Sequence, residues 1–281
     1  MNQITIIGIG LIGGSFAKVL KDKGYATTII GVDNNAEHCK TALELNLVDD
    51  IKTLKEGVEE ADLVILALPV NGIISLLPHV LDLIKKDAVV IDAGSTKESI
   101  IQSVHDHKNR KRFVATHPMW GTEFSGPSAA RNDAFANKAT VICDKNDCDE
   151  DALKEVINLY TTLGMHLIYM GGKEHDVHVA YISHISHITS FALANTVLEK
   201  EKEEDAIFEL ASAGFESTVR LANSNPATWA SIFMENRENV LDVLNEHISQ
   251  LRKFKASLEK ENYPYLHELM VNANKIKRII K

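Results

Sequence analysis

Ile4-Thr5-Ile6-Ile7-Gly8-Ile9-Gly10-Leu11-Ile12-Gly13-Gly14-Ser15 stands at the start of the chain. The first residues are apolar and β-branched, as a buried strand requires, and they run directly into G-x-G-x-x-G. A helical pattern from Phe16 to Lys23 follows, closed by Gly24, and Thr27 to Val32 reads as a second buried strand that stops at Asp33. Strand, glycine turn, helix and strand within about 30 residues make the context in which these glycines cradle a dinucleotide. Gly8 permits the tight turn, Gly10 lets the backbone approach a pyrophosphate, and Gly13 lets the helix pack on the strand. The helix N-terminus, at Leu11 and Ile12, faces the negative charge. Asp33 follows Gly13 by 20 residues, where a carboxylate can accept both ribose hydroxyls. Neither Asn34 nor Asn35 offers a cation for a 2′-phosphate, so NAD is expected rather than NADP.

The alternation continues outward from this unit. Ala61 to Pro69 reads as a buried parallel strand whose end, Leu68 and Pro69, should face the cofactor crevice. Ala88 to Asp92 is another strand, closing on Ala93-Gly94-Ser95-Thr96-Lys97, and Phe113 to Thr116 is a shorter one. Thr140 to Cys143 and Met165 to Tyr169 complete the set, with the helical stretch Glu150–Leu163 between them. After Gly172 the texture becomes helical: Glu174 to Lys202, Ala206 to Asn223, Pro226 to about Glu261, and Tyr265 to Lys281. The expected fold is α/β, a Rossmann-type dinucleotide-binding domain over residues 1–172 followed by an all-α dimerisation and substrate-binding domain over residues 173–281. The long helices cannot satisfy their apolar faces within so small a bundle, so a homodimer is expected.

Composition narrows the function. At 281 residues, 45% hydrophobic and 25% charged, the sequence has the make-up of an ordinary soluble protein. A formal net charge of −9 would repel a phosphate backbone and no basic stripe overrides it, so nucleic acid is not an expected partner. The chain begins without the features of a secretory signal and contains no run of about 18 apolar residues, so no membrane association is expected. Three cysteines, Cys39, Cys143 and Cys148, suit a reducing cytoplasm.

Ala115-Thr116-His117-Pro118-Met119-Trp120-Gly121-Thr122-Glu123-Phe124-Ser125-Gly126 carries a base that titrates near neutral pH into a loop that Pro and Gly keep from being helical. In the helical half, His184 and His187 share a helix face at i, i+3. They could be a metal pair, although no third ligand is evident at a defined spacing, or a satisfied core pair. Arg220 reads equally as a surface or dimer ion pair, and Trp229 as core.

These residues occur in motifs that resemble the prephenate dehydrogenase family along essentially the whole chain. Gly8–Ser15 is shared by many dehydrogenases. D-A-G-S-T-K at Asp92–Lys97, H-P-M-W-G-T-E at His117–Glu123, H-D-x-x-x-A-x-I-S-H-I-S-H at His175–His187, and Gly214, Phe215 and Arg220 followed by Trp229 are together specific. The resemblance implies an NAD-dependent oxidoreductase of tyrosine biosynthesis that oxidatively decarboxylates prephenate to 4-hydroxyphenylpyruvate. It implies that His117 accepts the ring hydroxyl proton and that Ser95 orients His117 beside the nicotinamide. Arg220 would clamp the ring carboxylate, His184 and His187 would line the pocket, Trp229 would support the side-chain carboxylate end, and Glu123 would gate the pocket through an ionic network.

One position departs from the family pattern. Glu216 lies four residues before Arg220, where the resemblance implies a Lys or Arg near the substrate's side chain in prephenate-preferring members; it is read first as a solvent-facing acid or the partner of a neighbouring base, and otherwise it raises arogenate, with its amine, as an alternative substrate. Other readings are a 3-hydroxyacid dehydrogenase, which would use a lysine on the helical domain, and a non-catalytic dinucleotide-binding redox sensor. No appended regulatory domain is expected.

Overall fold

The computed structural model describes residues 1–202 and 208–278. The portions of the expected charge run and second helical segment at 203–207, and the last three residues, lie outside the described residues.

Eight strands form one sheet: β1 (Gln3–Ile7), β2 (Thr28–Val32), β3 (Asp50–Ile51), β4 (Leu63–Leu66), β5 (Val89–Asp92), β6 (Phe113–Pro118), β7 (Ala139–Cys143) and β8 (His166–Met170). Their order is β3-β2-β1-β4-β5-β6-β7-β8. Every pair from β3 to β6 is parallel, with Ile6 opposite Gly31 on one side and Ile65 on the other. The chain therefore reverses direction of travel at β1, and the carboxyl ends of β1 and β4 open a crevice where α/β sheets bind ligands. The expected parallel series ends at β6, because β7 runs antiparallel to it, pairing His117 with Val141, before β8 resumes parallel to β7.

The connections are α1 (Leu11–Asp22), α2 (Ala36–Glu44), α3 (Leu54–Glu59), α4 (Val70–Leu83), α5 (Glu98–Gln102) and α6 (Glu150–Thr162). Alternate strand residues pack on opposite layers, as the pleat dictates. Ile4, Ile6, Ile65 and Ile91 meet Phe16 and Leu20 of α1 and Val156 of α6. Val64, Leu66, Val90 and Phe113 meet Leu77, Val80 and Leu81 of α4. Each of these fully buried side chains contributes about 1.5–3 kcal/mol, which fixes the strand ends that carry the site.

Then come α7 (Gly172–Val179), α8 (Ile185–Glu201), α9 (Ala213–Val219), α10 (Pro226–Glu235), α11 (Arg237–Glu259) and α12 (Tyr263–Ala273). The expected helix from Glu174 to Lys202 contains a π-turn at Ala180–His184. The expected single helix from Pro226 to Glu261 is broken at Asn236, whose φ of −109° and ψ of 28° leave the helical region. Its side chain Nδ2 donates to the Asp176 carbonyl at 2.7 Å instead of facing solvent. By contacts the chain forms two compact units, Met1–Asn236 and Arg237–Lys281, so α7 to α10 group with the sheet. Within the first, Ile232 of α10 joins the core beside α4. Within the second, α11 packs on α12. Among the described residues no helix is long and apolar enough to cross a membrane.

Candidate active site

The glycine turn has the geometry its spacing implies. Gly8 sits at φ +91°, and a Cβ there would lie 2.5 Å from the Ala67 carbonyl oxygen of the neighbouring strand end. A Cβ on Gly13 would lie 1.9 Å from the Gly8 carbonyl oxygen, so the start of α1 can approach β1 only with hydrogen at that position. Gly10 differs from both: a Cβ there meets nothing within 4 Å, because the residue faces open space at the N-terminus of α1. Asp33 ends β2 with its carboxylate held from both sides. Oδ2 accepts the Ile9 N–H at 2.8 Å and Oδ1 accepts the Asn35 N–H at 2.9 Å. Each oxygen keeps acceptor capacity for a ribose hydroxyl. His38, which the sequence reading passed over, places Nδ1 3.5 Å from Asp33 Oδ2.

This turn lines one cavity of about 660 Å³, a size suited to small-molecule ligands. Gly8, Gly10, Leu11, Ile12, Asp33, Leu68, Pro69 and Ser95 line it, and so do His117, Glu123, His184, His187, Arg220 and Trp229. A dinucleotide fits this wall, with the open face of Gly10 for a pyrophosphate and Asp33 for a ribose. Gly13 is not on the surface of the cavity; it lies behind it, as its packing role requires. Glu216 is not brought there either. It is exposed in the first turn of α9. That helix ends at Val219, and Arg220 begins the 3₁₀ turn that follows.

His117 is near the end of β6, and the loop after it, from Met119 to Gly126, forms part of the cavity wall. Its Nδ1 lies 2.8 Å from Nε2 of His175. Ser95 shares the cavity, but among the described residues no hydrogen bond joins it to His117. The Nδ1 of that ring is held instead by His175. Burial pushes the His117 imidazole well below its ordinary range, with His175, the Lys97 ammonium and His184 adding to the effect. The ring is therefore neutral near pH 7 and able to take a proton.

Beneath it, Lys97 and Asp92 form a fully buried ion pair. Lys97 Nζ also donates to the Thr116 carbonyl at 2.7 Å, while Asp92 accepts the Gly94 N–H at 2.8 Å and the Thr116 N–H at 3.1 Å. One pair thus ties the turn that carries Ser95 to the strand that carries His117.

The helical wall is built by α7 through α10. His184 is buried, with Nδ1 3.1 Å from Asn236 Nδ2, and burial brings its pKa down to about 4. Nine residues separate it from His175, which on an unbroken helix would turn it to about the opposite face. The π-turn inserts a residue and takes back roughly 100° of that rotation. His187 Nδ1 donates to the Ser183 carbonyl at 3.0 Å, and the ring stacks on Trp229 at 3.3 Å and 21°. This leaves its Nε2 as an acceptor when the ring is neutral.

Arg220 is placed by Ser190 of α8, whose Oγ donates to the Thr218 carbonyl and accepts the Ala222 N–H, each at 3.1 Å. Its guanidinium is half exposed and pairs with Glu123 at 3.2 Å. The N-terminus of α10, with Ser224, Asn225 and Thr228 on the cavity wall, adds positive potential beside it. Together these groups suit a carboxylate-bearing ligand. Sequence reasoning missed His175, Asp176, Ser190 and Lys97. His175, Asp176 and Lys97 were visible only as members of longer motifs, with no role attached.

The chain matches the family description "Prephenate dehydrogenase, nucleotide-binding domain" over residues 16–169 and "Prephenate dehydrogenase, dimerization domain" over residues 172–272. It is 32% identical to the prephenate dehydrogenase of Bacillus subtilis across 93% of this chain and 72% of that one. It is 30% identical to the cyclohexadienyl dehydrogenase of Zymomonas mobilis across 99% and 96%. The crystal structure of prephenate dehydrogenase from Aquifex aeolicus with hydroxyphenyl propionate and NAD+ is similar with a TM-score of 0.87, at 31% identity over 99% of this chain and 98% of that one.

Proposed function

The chain belongs to the prephenate dehydrogenase family, and from that premise we propose that it oxidatively decarboxylates prephenate to 4-hydroxyphenylpyruvate with NAD, in tyrosine biosynthesis. The observation that carries this reading is the single cavity shared by the glycine turn, Asp33, His117 and Arg220. NAD, held along Gly8, Gly10 and Asp33, supplies the hydride acceptor. His117 takes the proton of the ring C4 hydroxyl as the carbonyl develops, a task for a neutral imidazole. Arg220 holds the ring carboxylate that departs as CO2, and its planar fork suits a carboxylate better than an ammonium would. His184, His187 and Trp229 shape the pocket around the ring, and Ser95 lies toward the nicotinamide.

The functional division is drawn at residues 1–172 and 173–281, supported by the ranges of the two family matches. We assign a homodimer and a cytoplasmic location. The dimerisation-domain match and the exposed Leu241, Leu251 and Leu258 support the first, and three unpaired cysteines support the second.

Arogenate is a second reading. Glu123 favours it, because its carboxylate lies on the cavity wall beside Arg220 and could meet an ammonium. Glu216, exposed on α9, does not contribute to that argument.

The test is NADH formation from NAD and prephenate, with kcat/KM compared for arogenate. His117→Asn should lower kcat by about 10²–10⁴ while NAD binding survives. Turnover that persists in this variant would remove His117 from the role of base.

A further inference from the structure

His175 lies behind the cavity wall, yet it touches the side chain on which the chemistry turns. Its Nδ1 is 2.8 Å from Asp176 Oδ1. Asp176 Oδ1 also accepts the Lys97 N–H at 2.7 Å, and Oδ2 accepts the Glu98 N–H at 2.9 Å. Three donors converge on this carboxylate, so the proton of the His175–Asp176 bond is on the imidazole. A neutral imidazole carries one N–H, which leaves a lone pair on His175 Nε2. The 2.8 Å bond to His117 Nδ1 then requires that His117 be the donor. The lone pair of His117 is consequently on Nε2. Burial disfavours the charged form of both rings, which keeps His175 available as an acceptor near neutral pH.

We propose that His175, locked by Asp176, is a positioning residue that holds His117 in the tautomer whose Nε2 is the proton acceptor and stabilises the imidazolium formed during turnover. The inference rests on the reading of His117 as base. The proton leaves the substrate hydroxyl for Nε2 of His117. Nδ1 keeps its own proton and donates a hydrogen bond to His175, whose opposite nitrogen donates one to the Asp176 carboxylate. The new positive charge therefore faces an anion through one intervening ring, and Asp176 need not be protonated.

The wild-type chain labelled with ¹⁵N-histidine tests the tautomer without any substrate, His117→Asn assigning the resonance. Protonated Nδ1 with unprotonated Nε2 is the expected state, and the reverse tautomer would overturn the proposal. Two variants test the consequence. His175→Phe removes the acceptor and should lower kcat by about 10²-fold or more, with KM for prephenate and the NAD dissociation constant within about threefold. His175→Gln restores an acceptor oxygen and should recover at least about tenfold of that loss. Wild-type kcat in His175→Phe, or equal impairment of both variants, would reject the positioning role. Should both variants lose NAD binding through misfolding, the wild-type tautomer remains the deciding measurement. If the wild-type chain does not oxidise prephenate, the substrate assignment fails, and the tautomer result is unaffected.

Discussion

Replacing each of the three motif glycines by alanine should give outcomes that differ in kind. At Gly10 the backbone is extended, with φ −79° and ψ −154°, and a Cβ meets nothing within 4 Å. Gly10→Ala should fold as well as wild type and gain about 0.4–1 kcal/mol from the stiffer unfolded chain. Its methyl group, however, enters the space assigned to the pyrophosphate, so NAD affinity should fall at least about tenfold, or 1.4 kcal/mol. At Gly13 the same methyl would stand 1.9 Å from the Gly8 carbonyl oxygen, a backbone atom that cannot yield, and 3.0 Å from Ile6 Cγ2. Gly13→Ala should lose at least the roughly 1–3 kcal/mol of an overpacked core. Gly8→Ala should be comparable, since φ +91° adds strain to a 2.5 Å contact with Ala67. Thermal denaturation with and without NAD, together with calorimetric titration of NAD, separates the two effects. Wild-type NAD affinity in Gly10→Ala would refute the path assigned to the pyrophosphate, and wild-type stability in Gly13→Ala would refute the packing argument.

Arg220→Lys, which keeps the charge but loses the planar fork, should lower kcat/KM for prephenate by about tenfold or more; an unchanged value would remove the carboxylate clamp. Glu123→Gln should leave the melting temperature nearly unchanged, because the Arg220 partner is 53% exposed and such pairs contribute about 0–1 kcal/mol, and a large destabilisation would show the pair to be structural. His184, held at about 4 by burial, is neutral in the fold and titrates near 6.5 when unfolded. The unfolded chain then binds more protons at acid pH, so this contribution is complete above about pH 6.5 and is lost as pH falls toward 4, by roughly 3 kcal/mol in all. Urea denaturation at pH 7 and pH 5 measures it, and equal stabilities would contradict the assignment.

The cofactor wall was legible because its determinants are local. Gly8, Gly10, Gly13 and Asp33 act through the turn they themselves build, and spacing encodes that directly. His117 stood out for a similar reason, on a loop where a helix is impossible. The hydrogen bonds that give it a direction were not legible, since Lys97 meets Asp176 across 79 positions and His117 meets His175 across 58. No periodicity reports a partner at that range. Helical periodicity misled where the helix was interrupted: Pro226 to Glu261 is broken by Asn236. Asn236 leaves its helix while its side chain serves the Asp176 carbonyl and His184, a tertiary demand that local propensity cannot express.

His117, the proposed base, is set between two opposed charges that belong to different parts of the fold. Lys97, paired with Asp92, stands below β6 and makes a proton on His117 less favourable. Asp176 stands behind His175 on α7, where a proton arriving at His117 would be felt as attraction through the intervening ring. Burial alone would give a neutral imidazole that resists protonation at every stage of the reaction. With the carboxylate reached only through a hydrogen-bonded ring, stabilisation grows as the imidazolium forms, which is the condition for an interaction to lower a barrier rather than tighten a ground state. The same Asp176 accepts the N–H groups of Lys97 and Glu98. The contact that anchors the helical wall to the turn after β5 therefore also orients the base, and a displacement of that wall would change the chemistry and the packing together.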